Sequence, residues 1–238
     1  MKFSIVVPAY NSDKTIGRAL DSLTGQSIDR DLFEIVVVND ASRDNTDVII
    51  DAYMEKYPDF NWKLIIHDVN KNKAISRNDG MRAASGEWIC WLDADDFYLP
   101  YYLEIMNQAT EKYPDSKMFY YGGIIVWKRW DSAPRYPMPV HMGEVFRSGQ
   151  IMSGGFMFKK ECLDRCGYLP EERSPYGFGE AMLTEFPEVK ELYKPGQLDL
   201  GNPWGDDWAM FYKLTRHFQP KMLNITPYVV VNREEHQL

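Results

Sequence analysis

The sequence contains few cysteines and no long apolar run. Its three cysteines, Cys90, Cys162 and Cys166, form an odd and sparse set, which excludes a disulfide framework and favours reduced, buried thiols in a cytoplasmic protein. Further ligands at zinc-site spacing are absent near Cys162 and Cys166. No segment approaches the roughly 20 apolar residues that cross a bilayer, and the N-terminal MKFSIVVPAYN becomes polar too early for a signal peptide. We therefore expect no membrane span.

Motifs of several enzyme classes are also missing. The first apolar segment is followed by PAYNSD, which is neither GxGxxG nor a Walker A sequence. A dinucleotide oxidoreductase and a P-loop NTPase are thereby excluded. The lack of a glycine-rich first loop also counts against a sugar-phosphate nucleotidyltransferase. GxSxG and HExxH motifs are absent as well.

An excess of acidic residues narrows the choice of partners. Lys and Arg total 27 against 35 Asp and Glu, which gives a formal net charge of −8. This charge disfavours binding of nucleic acid or anionic lipid by the surface as a whole. Hydrophobic residues make up 45% and charged residues 26% of the 238 positions, close to globular averages. We expect one folded domain over residues 1–238.

Short apolar segments alternate with amphipathic segments in the N-terminal half. Strands are predicted over residues 3–7, 34–38, 62–66 and 88–92. The first is expected to end at Pro8, and residues 11–13 offer caps for a helix in which apolar side chains recur at helical spacing: Ile16, Ala19, Leu20 and Leu23. This order predicts an α/β fold, Rossmann-like and doubly wound around a mostly parallel sheet.

The second half is less regular. After a helix around residues 103–109, strands are predicted over 118–127 and 154–158. Residues 169–203 combine Gly, Pro, Glu and aromatics without a regular period, so we interpret them as an insertion or lid.

Each of the first four predicted strands leads into a polar loop: PAYNSD, NDASRD, HDVNKN and DADD. Ligands of parallel sheets bind at the carboxyl ends of the strands, so we expect these loops to converge. Carboxylates such as Asp93 and Asp95 suit Mn²⁺ or Mg²⁺. The alternative is a solvated acidic turn that caps the next helix, a role that Asp96 fits.

Four motifs together resemble family 2 glycosyltransferases of the GT-A fold. They are FSIVVPAYN at 3–11, VVVNDASRDNT at 36–46, SRNDGMRAASGEWICWLDADD at 76–96 and GDDW at 205–208. The resemblance implies transfer of a sugar from a nucleotide-diphosphate donor with inversion, aided by a divalent cation and an aspartate base. It also implies a nucleotide-sugar-binding half over about 1–110 and an acceptor-binding half over about 111–238, with a smaller acceptor-side subregion of the fold.

The resemblance assigns roles to donor-side residues. The loop that walls the nucleoside would be Pro8, Ala9, Tyr10 and Asn11. Asp40 would contact the base or ribose and Arg77 the nucleotide. Asp93 and Ala94 would meet the ribose or sugar, and Asp95 the metal that bridges the diphosphate. As alternatives, Pro8 only stops a strand, Asp40 caps a helix and Arg77 is a surface residue.

Two further residues are assigned near the C-terminus. Asp207 matches the position of the base that deprotonates the acceptor hydroxyl, and Asp206 stands where the family often has Glu. Residues 205 and 206 also fit a helix start before WAMFYKL. His236 falls where many GT-A enzymes complete the metal shell with a histidine, although a solvated tail residue is an equal alternative.

Two departures from the family pattern refine this picture. Asn72 replaces the usual glycine before the arginine and tolerates a left-handed backbone nearly as well. The processive QxxRW signature is missing, so we expect transfer of a single sugar.

The sequence says least about the acceptor. In 126–137, Trp127, Trp130 and Tyr136 alternate with Lys128, Arg129 and Arg135. This composition suits sugars, bases or phosphates, but it also fits an ordinary hairpin.

The residue patterns and the resemblance together predict a non-processive, inverting transferase. It would use a UDP-linked sugar and a hydroxyl acceptor on a glycan or lipid-linked saccharide. A modified nucleobase in DNA is a less favoured acceptor. The alternatives are a nucleotide-sugar-binding protein without catalysis and a nucleotidyltransferase.

Overall fold

The computed structural model describes residues 1–127, 155–169, 171 and 206–232. Eight strands in these ranges are β1 (Phe3–Ala9), β2 (Phe33–Asn39), β3 (Asn61–Ile66), β4 (Trp88–Trp91), β5 (Phe97–Tyr98), β6 (Met118–Trp127), β7 (Phe156–Lys159) and β8 (Lys221–Asn232). The α-helices are α1 (Ile16–Thr24), α2 (Thr46–Lys56), α3 (Lys73–Ala83), α4 (Tyr102–Lys112), α5 (Leu163–Cys166) and α6 (Asp206–His217). Short 3₁₀ helices cover Arg30–Leu32 and Lys160–Cys162.

The strands form one sheet with the order β3-β2-β1-β4-β7-β6-β8-β5. β1 pairs in parallel with β2 on one side and with β4 on the other, and β2 pairs in parallel with β3. The strand order therefore reverses at β1 and β4, which creates a crevice beyond their carboxyl ends. On the far side, β7 is antiparallel to both β4 and β6, while β6 and β8 are parallel.

Side chains of the central strands alternate between two hydrophobic cores. Ile5 and Val7 of β1 belong to the cluster that contains the buried face of α1, whereas Val6 packs with Met81 of α3 on the opposite face. The four apolar positions of α1 that the spacing singled out are all buried: Ile16, Ala19, Leu20 and Leu23. The predicted doubly wound α/β fold is confirmed.

Close packing of α3 on the sheet fixes one wall of the crevice. A Cβ atom added at Gly80 would lie 2.2 Å from Cγ1 of Val6, a separation that real Cβ contacts do not show. Glycine at this position therefore allows α3 to approach β1 and brings the first turn of α3 to the sheet edge.

Three details differ from the sequence prediction. β1 continues through Pro8 to Ala9. The carbonyl of Val6 faces β4 and accepts a hydrogen bond from the Leu92 amide. Pro8 lies two residues after Val6, so its nitrogen faces the same side. At that level β4 has already ended. α1 has Thr15 at its N-cap without a side-chain cap bond, and β8 was not predicted.

The three cysteines are buried, as predicted. Burial raises the pKa of Cys90 to about 11 and that of Cys162 to about 12. These two thiols are therefore protonated and unreactive at neutral pH.

Glu34, a buried carboxylate at the end of the sheet away from the crevice, makes the free energy of unfolding depend on pH. Glu34 is 2% exposed and bonds to Ser4 and the Ser85 amide, with Lys63 Nζ 3.1 Å from its Oε2. Burial alone would raise the pKa of Glu34, but these partners lower it below the usual value. Its stabilising contribution is therefore present at neutral pH and disappears as the pH falls through the folded-state pKa.

We expect Glu34→Gln to lower the free energy of unfolding by about 1–3 kcal/mol at neutral pH. Because protonation of Glu34 removes the same ionic contacts from the wild type, the difference should shrink in acid. Urea unfolding at a series of pH values measures it. A difference that stays constant with pH would contradict the assignment.

Candidate functional site

A cavity of about 550 Å³ lies in the crevice between the carboxyl ends of β1 and β4. Eight of the predicted site residues line it: Pro8, Ala9, Tyr10, Asn11, Asp40, Asp93, Ala94 and Asp95. The other lining residues are Ser12, Asn70, Asn72, Lys73 and Ser76. The polar loops after four strands thus converge as expected.

The loop after β1 is bonded to the loop after β2. Asn11 adopts φ +48° and its side-chain Oδ1 accepts a hydrogen bond from the Arg43 amide at 2.8 Å. The Asn11 amide in turn donates to Ser42 Oγ at 3.0 Å. Tyr10, next to Asn11, remains 47% exposed, so an aromatic ring lies at the cavity wall with its surface available to a ligand.

Asp40 organises a third loop. Its carboxylate accepts hydrogen bonds from the amides of Lys71 at 2.8 Å and Asn72 at 3.0 Å, and lies 2.7 Å from Nδ1 of His67. The helix-cap alternative for Asp40 is wrong, because Asp44 accepts from the first amide of α2.

Asn72 has the positive φ that the glycine comparison predicted, but its ψ lies outside the left-handed helical region. Its φ is +91° and ψ is 164°, a region that residues with a Cβ atom rarely occupy. Its side chain accepts from the Ile75 amide at 3.1 Å and so caps α3. Two hydrogen bonds therefore hold the strained backbone of Asn72, one from its amide to Asp40 and one from the Ile75 amide of α3 to its side chain.

Arg77 reaches the site through Asp93. Its side chain is fully buried, its guanidinium lies 4.7 Å from the centre of the Trp91 ring, and Nη2 is 2.6 Å from Asp93 Oδ1. Arg77 is not among the residues that line the cavity. The surface-residue alternative is therefore wrong, and the expected direct contact with a nucleotide stays a prediction.

Lys73, the first residue of α3, was missed by the sequence analysis. Its Nζ is 2.7 Å from Asp93 Oδ2, and its side chain is 47% exposed. Each oxygen of Asp93 therefore faces a cation. The loop HDVNKN was recognised as part of the crevice, but neither Lys73 nor His67 was singled out.

Three carboxylates form an acidic cluster at the end of β4. Oxygens of Asp93, Asp95 and Asp96 all lie within 4.8 Å of one another. Such a set of hard oxygen ligands fits Mg²⁺ or Mn²⁺, which would also relieve the repulsion between like charges. The cap role considered for Asp96 is not seen, because α4 begins at Tyr102 with Tyr101 as its N-cap.

The remaining predicted residues lie in the C-terminal part. Asp207 is the second residue of α6, where its backbone is described, and α6 packs Phe211 against Phe156 at 5.7 Å between ring centres. The predicted helix start is confirmed. His236, residues 128–150 and nearly all of the 169–203 insertion lie outside the described residues.

Within the described ranges, no helix has the length and apolar character needed to cross a membrane.

Residues 4–167 match the sequence profile of Glycosyl transferase family 2. The chain is 40% identical over 98 residues to poly(ribitol-phosphate) beta-glucosyltransferase of Bacillus spizizenii, covering 41% of this chain and 15% of that protein. It is 33% identical over 118 residues to a glycosyltransferase of Haemophilus influenzae, covering 50% of this chain and 37% of that protein. The matched segments therefore span less than half the length of each of these relatives.

Solved structures show the same architecture. Staphylococcus aureus TarS 1–349 in complex with UDP matches with a TM-score of 0.71 and 23% identity, over 98% of this chain and 61% of that one. The mannosyltransferase PcManGT of Pyrobaculum calidifontis, in complex with GDP-Man and Mn²⁺, matches with a TM-score of 0.66 and 20% identity, over 99% of this chain and 58% of that one. At these identities the likeness shows the fold alone, and the predicted GT-A fold is confirmed. The profile match over residues 4–167 shows in addition that the chain belongs to glycosyltransferase family 2.

Proposed function

We propose that this protein transfers one sugar from a nucleotide-diphosphate donor to an acceptor hydroxyl, with inversion at the anomeric carbon. The observation that carries the proposal is the convergence of the β1 loop, Asp40 and the carboxylates Asp93 and Asp95 on one cavity. Its volume of about 550 Å³ is within the usual range for small-molecule sites. Family membership makes a nucleotide sugar the first ligand to test.

A UDP-linked sugar is the proposed donor. TarS binds UDP and UDP-GlcNAc with the same fold, and PcManGT binds GDP-Man. The nucleoside would lie between the β1 loop and Asp40, and the diphosphate would lie towards β4.

A divalent cation, Mn²⁺ or Mg²⁺, is the proposed cofactor. Asp95 and Asp93 would hold it, with His236 as a further ligand. When bound, such a cation offsets the negative charge of a departing diphosphate. Lys73 and Arg77 already hold the two oxygens of Asp93, so Asp95 is expected to supply most of the affinity.

The chain's own residues would carry the remaining steps. Arg77 and Lys73 fix Asp93 at the donor, and Lys73, which is half exposed in the cavity, also faces the position proposed for the diphosphate. Asp207 would accept the proton of the acceptor hydroxyl as that oxygen attacks the anomeric carbon. The bond to the nucleoside diphosphate breaks in the same step, which inverts the anomeric configuration.

The acceptor is proposed to be a hydroxyl of a glycan or lipid-linked saccharide. The Bacillus spizizenii relative is named for transfer to poly(ribitol-phosphate), so hydroxyls of a polyol phosphate polymer are a further test compound. The net charge of −8 gives no support to a nucleic-acid acceptor.

A screen of nucleotide sugars by thermal shift with Mn²⁺ tests the donor. A ligand at 100 times its dissociation constant stabilises the fold by about 2.7 kcal/mol. The hit should then release nucleoside diphosphate in the presence of acceptor. Release of pyrophosphate would identify a nucleotidyltransferase, and binding without transfer or hydrolysis would favour a non-catalytic binding protein.

We expect Lys73→Gln to weaken UDP binding roughly tenfold, as the loss of one charge-assisted hydrogen bond implies. Binding of uridine, which lacks the diphosphate, should change little. Calorimetric titration with both ligands measures the difference. Lys71→Gln is the matched control, because Lys71 lies two positions earlier but does not line the cavity. Equal losses for UDP and uridine would place Lys73 away from the diphosphate.

A further inference from the structure

A buried histidine connects the cavity wall to helix α3. His67 follows β3 and is 5% exposed. Its Nδ1 lies 2.7 Å from Asp40 Oδ1 and its Nε2 lies 3.0 Å from Asp79 Oδ2. The His67 amide also donates to the carbonyl of Asn39 at 2.9 Å, so both the ring and the backbone are anchored.

The contacts of the ring indicate its protonation state. An ionised carboxylate can only accept hydrogen bonds, so contacts with Asp40 and Asp79 are both satisfied when each ring nitrogen carries a proton. Arg82 Nη1 lies 2.9 Å from the other oxygen of Asp79, and Arg82 Nη2 is 2.7 Å from Glu171. Two carboxylates therefore face His67: Asp40, directly after β2, and Asp79 of α3. Arg82 is bound to Asp79.

The same carboxylate of Asp40 holds the loop that closes one side of the cavity. Oδ1 accepts from the Lys71 amide and Oδ2 from the Asn72 amide. Asn72, at φ +91°, keeps its strained backbone only while neighbouring contacts hold it. A rotation of the Asp40 carboxylate would therefore release the part of the wall formed by Asn70 and Asn72.

We propose that protonated His67 is a positioning residue for the donor. It fixes the Asp40 carboxylate, and through it residues 70–72, in the conformation that receives the nucleoside. His67 does not line the cavity, so it acts through Asp40 without touching the ligand. Replacement of the His67 ring breaks both carboxylate contacts, and donor affinity falls. This inference rests on the proposed nucleotide-sugar function.

The test combines calorimetric titration with UDP and Mn²⁺ and ¹⁵N NMR of the histidine rings. His67→Gln should bind UDP roughly tenfold more weakly. Asp79→Asn, a change further from the ligand, should weaken binding in the same direction. In the wild type, the His67 signals, assigned from the His67→Gln spectrum, should show protons on both nitrogens under the conditions in which UDP binds tightly.

Glu34→Gln is the matched control, because Glu34 is an equally buried, bonded acid at the opposite end of the sheet. It should lower thermal stability without altering UDP affinity. If His67→Gln and Asp79→Asn bind UDP as the wild type does, or if the ring is neutral wherever binding is tight, the positioning role is overturned. If the wild type binds no nucleotide, the proposed function itself fails, and this inference fails with it.

Discussion

Asp95→Ala should abolish metal-dependent binding of UDP while leaving the fold intact. Asp95 is proposed as the principal ligand of the cation, since both oxygens of Asp93 already face Arg77 and Lys73. Changes in the outer shell of metal sites alone cost about 10–100-fold in affinity, so loss of a direct ligand should cost more than about 100-fold. Calorimetric titration of UDP with and without Mn²⁺ measures the effect, and thermal unfolding monitors the fold.

Asp93→Asn provides the contrast for this prediction. It should also weaken donor binding, but it would leave the buried guanidinium of Arg77 without its carboxylate, a change that typically costs about 3–5 kcal/mol of stability. A lower melting temperature for Asp93→Asn than for Asp95→Ala is therefore expected. If Asp95→Ala keeps full metal-dependent binding, the cation does not bind at this cluster.

The N-terminal half could be predicted because its central strands are buried on both faces. All seven residues of β1 and all seven of β2 are buried, so each strand contains a run of consecutive apolar residues, Ile5–Val7 in β1 and Ile35–Val38 in β2. The helices between them repeat apolar residues at helical spacing. Apolar strands that alternate with amphipathic helices along the chain are enough to predict a parallel sheet with helical crossovers.

β8 was missed because its sequence is irregular and its partner is distant. It pairs with β6, about a hundred residues earlier, and the register jumps from Leu223 opposite Tyr121 to Tyr228 opposite Gly123. The residues between these pairs, 224–227, include Pro227. A proline and a register shift within one strand hide the period of two on which strand prediction depends.

The position of the site was predictable, but most of its internal contacts were not. Parallel pairing places Ala9 beside Asn39, so the loops after β1 and β2 had to meet. The bonds from His67 to Asp40 and from Lys73 to Asp93 depend instead on side-chain direction in the folded chain. The strained backbone of Asn72 was anticipated only through comparison with a glycine of the family.

Asp207→Asn should reduce sugar transfer by about 10²–10⁴, the usual contribution of a positioned general base. An acceptor hydroxyl is a weak nucleophile at neutral pH, and asparagine keeps the shape and the oxygen of aspartate but cannot take the proton. Donor affinity and melting temperature should stay close to the wild type, since the base does not hold the nucleotide. Steady-state transfer assays, with UDP binding measured in parallel, separate these effects.

Asp206→Asn is the matched control, because Asp206 and Asp207 occupy the first two positions of the same helix. It should retain transfer. If Asp206→Asn loses transfer and Asp207→Asn keeps it, the base is Asp206, at the position where the family often has Glu. If both variants keep transfer, the GDDW motif only starts helix α6, and a different group accepts the proton of the acceptor hydroxyl.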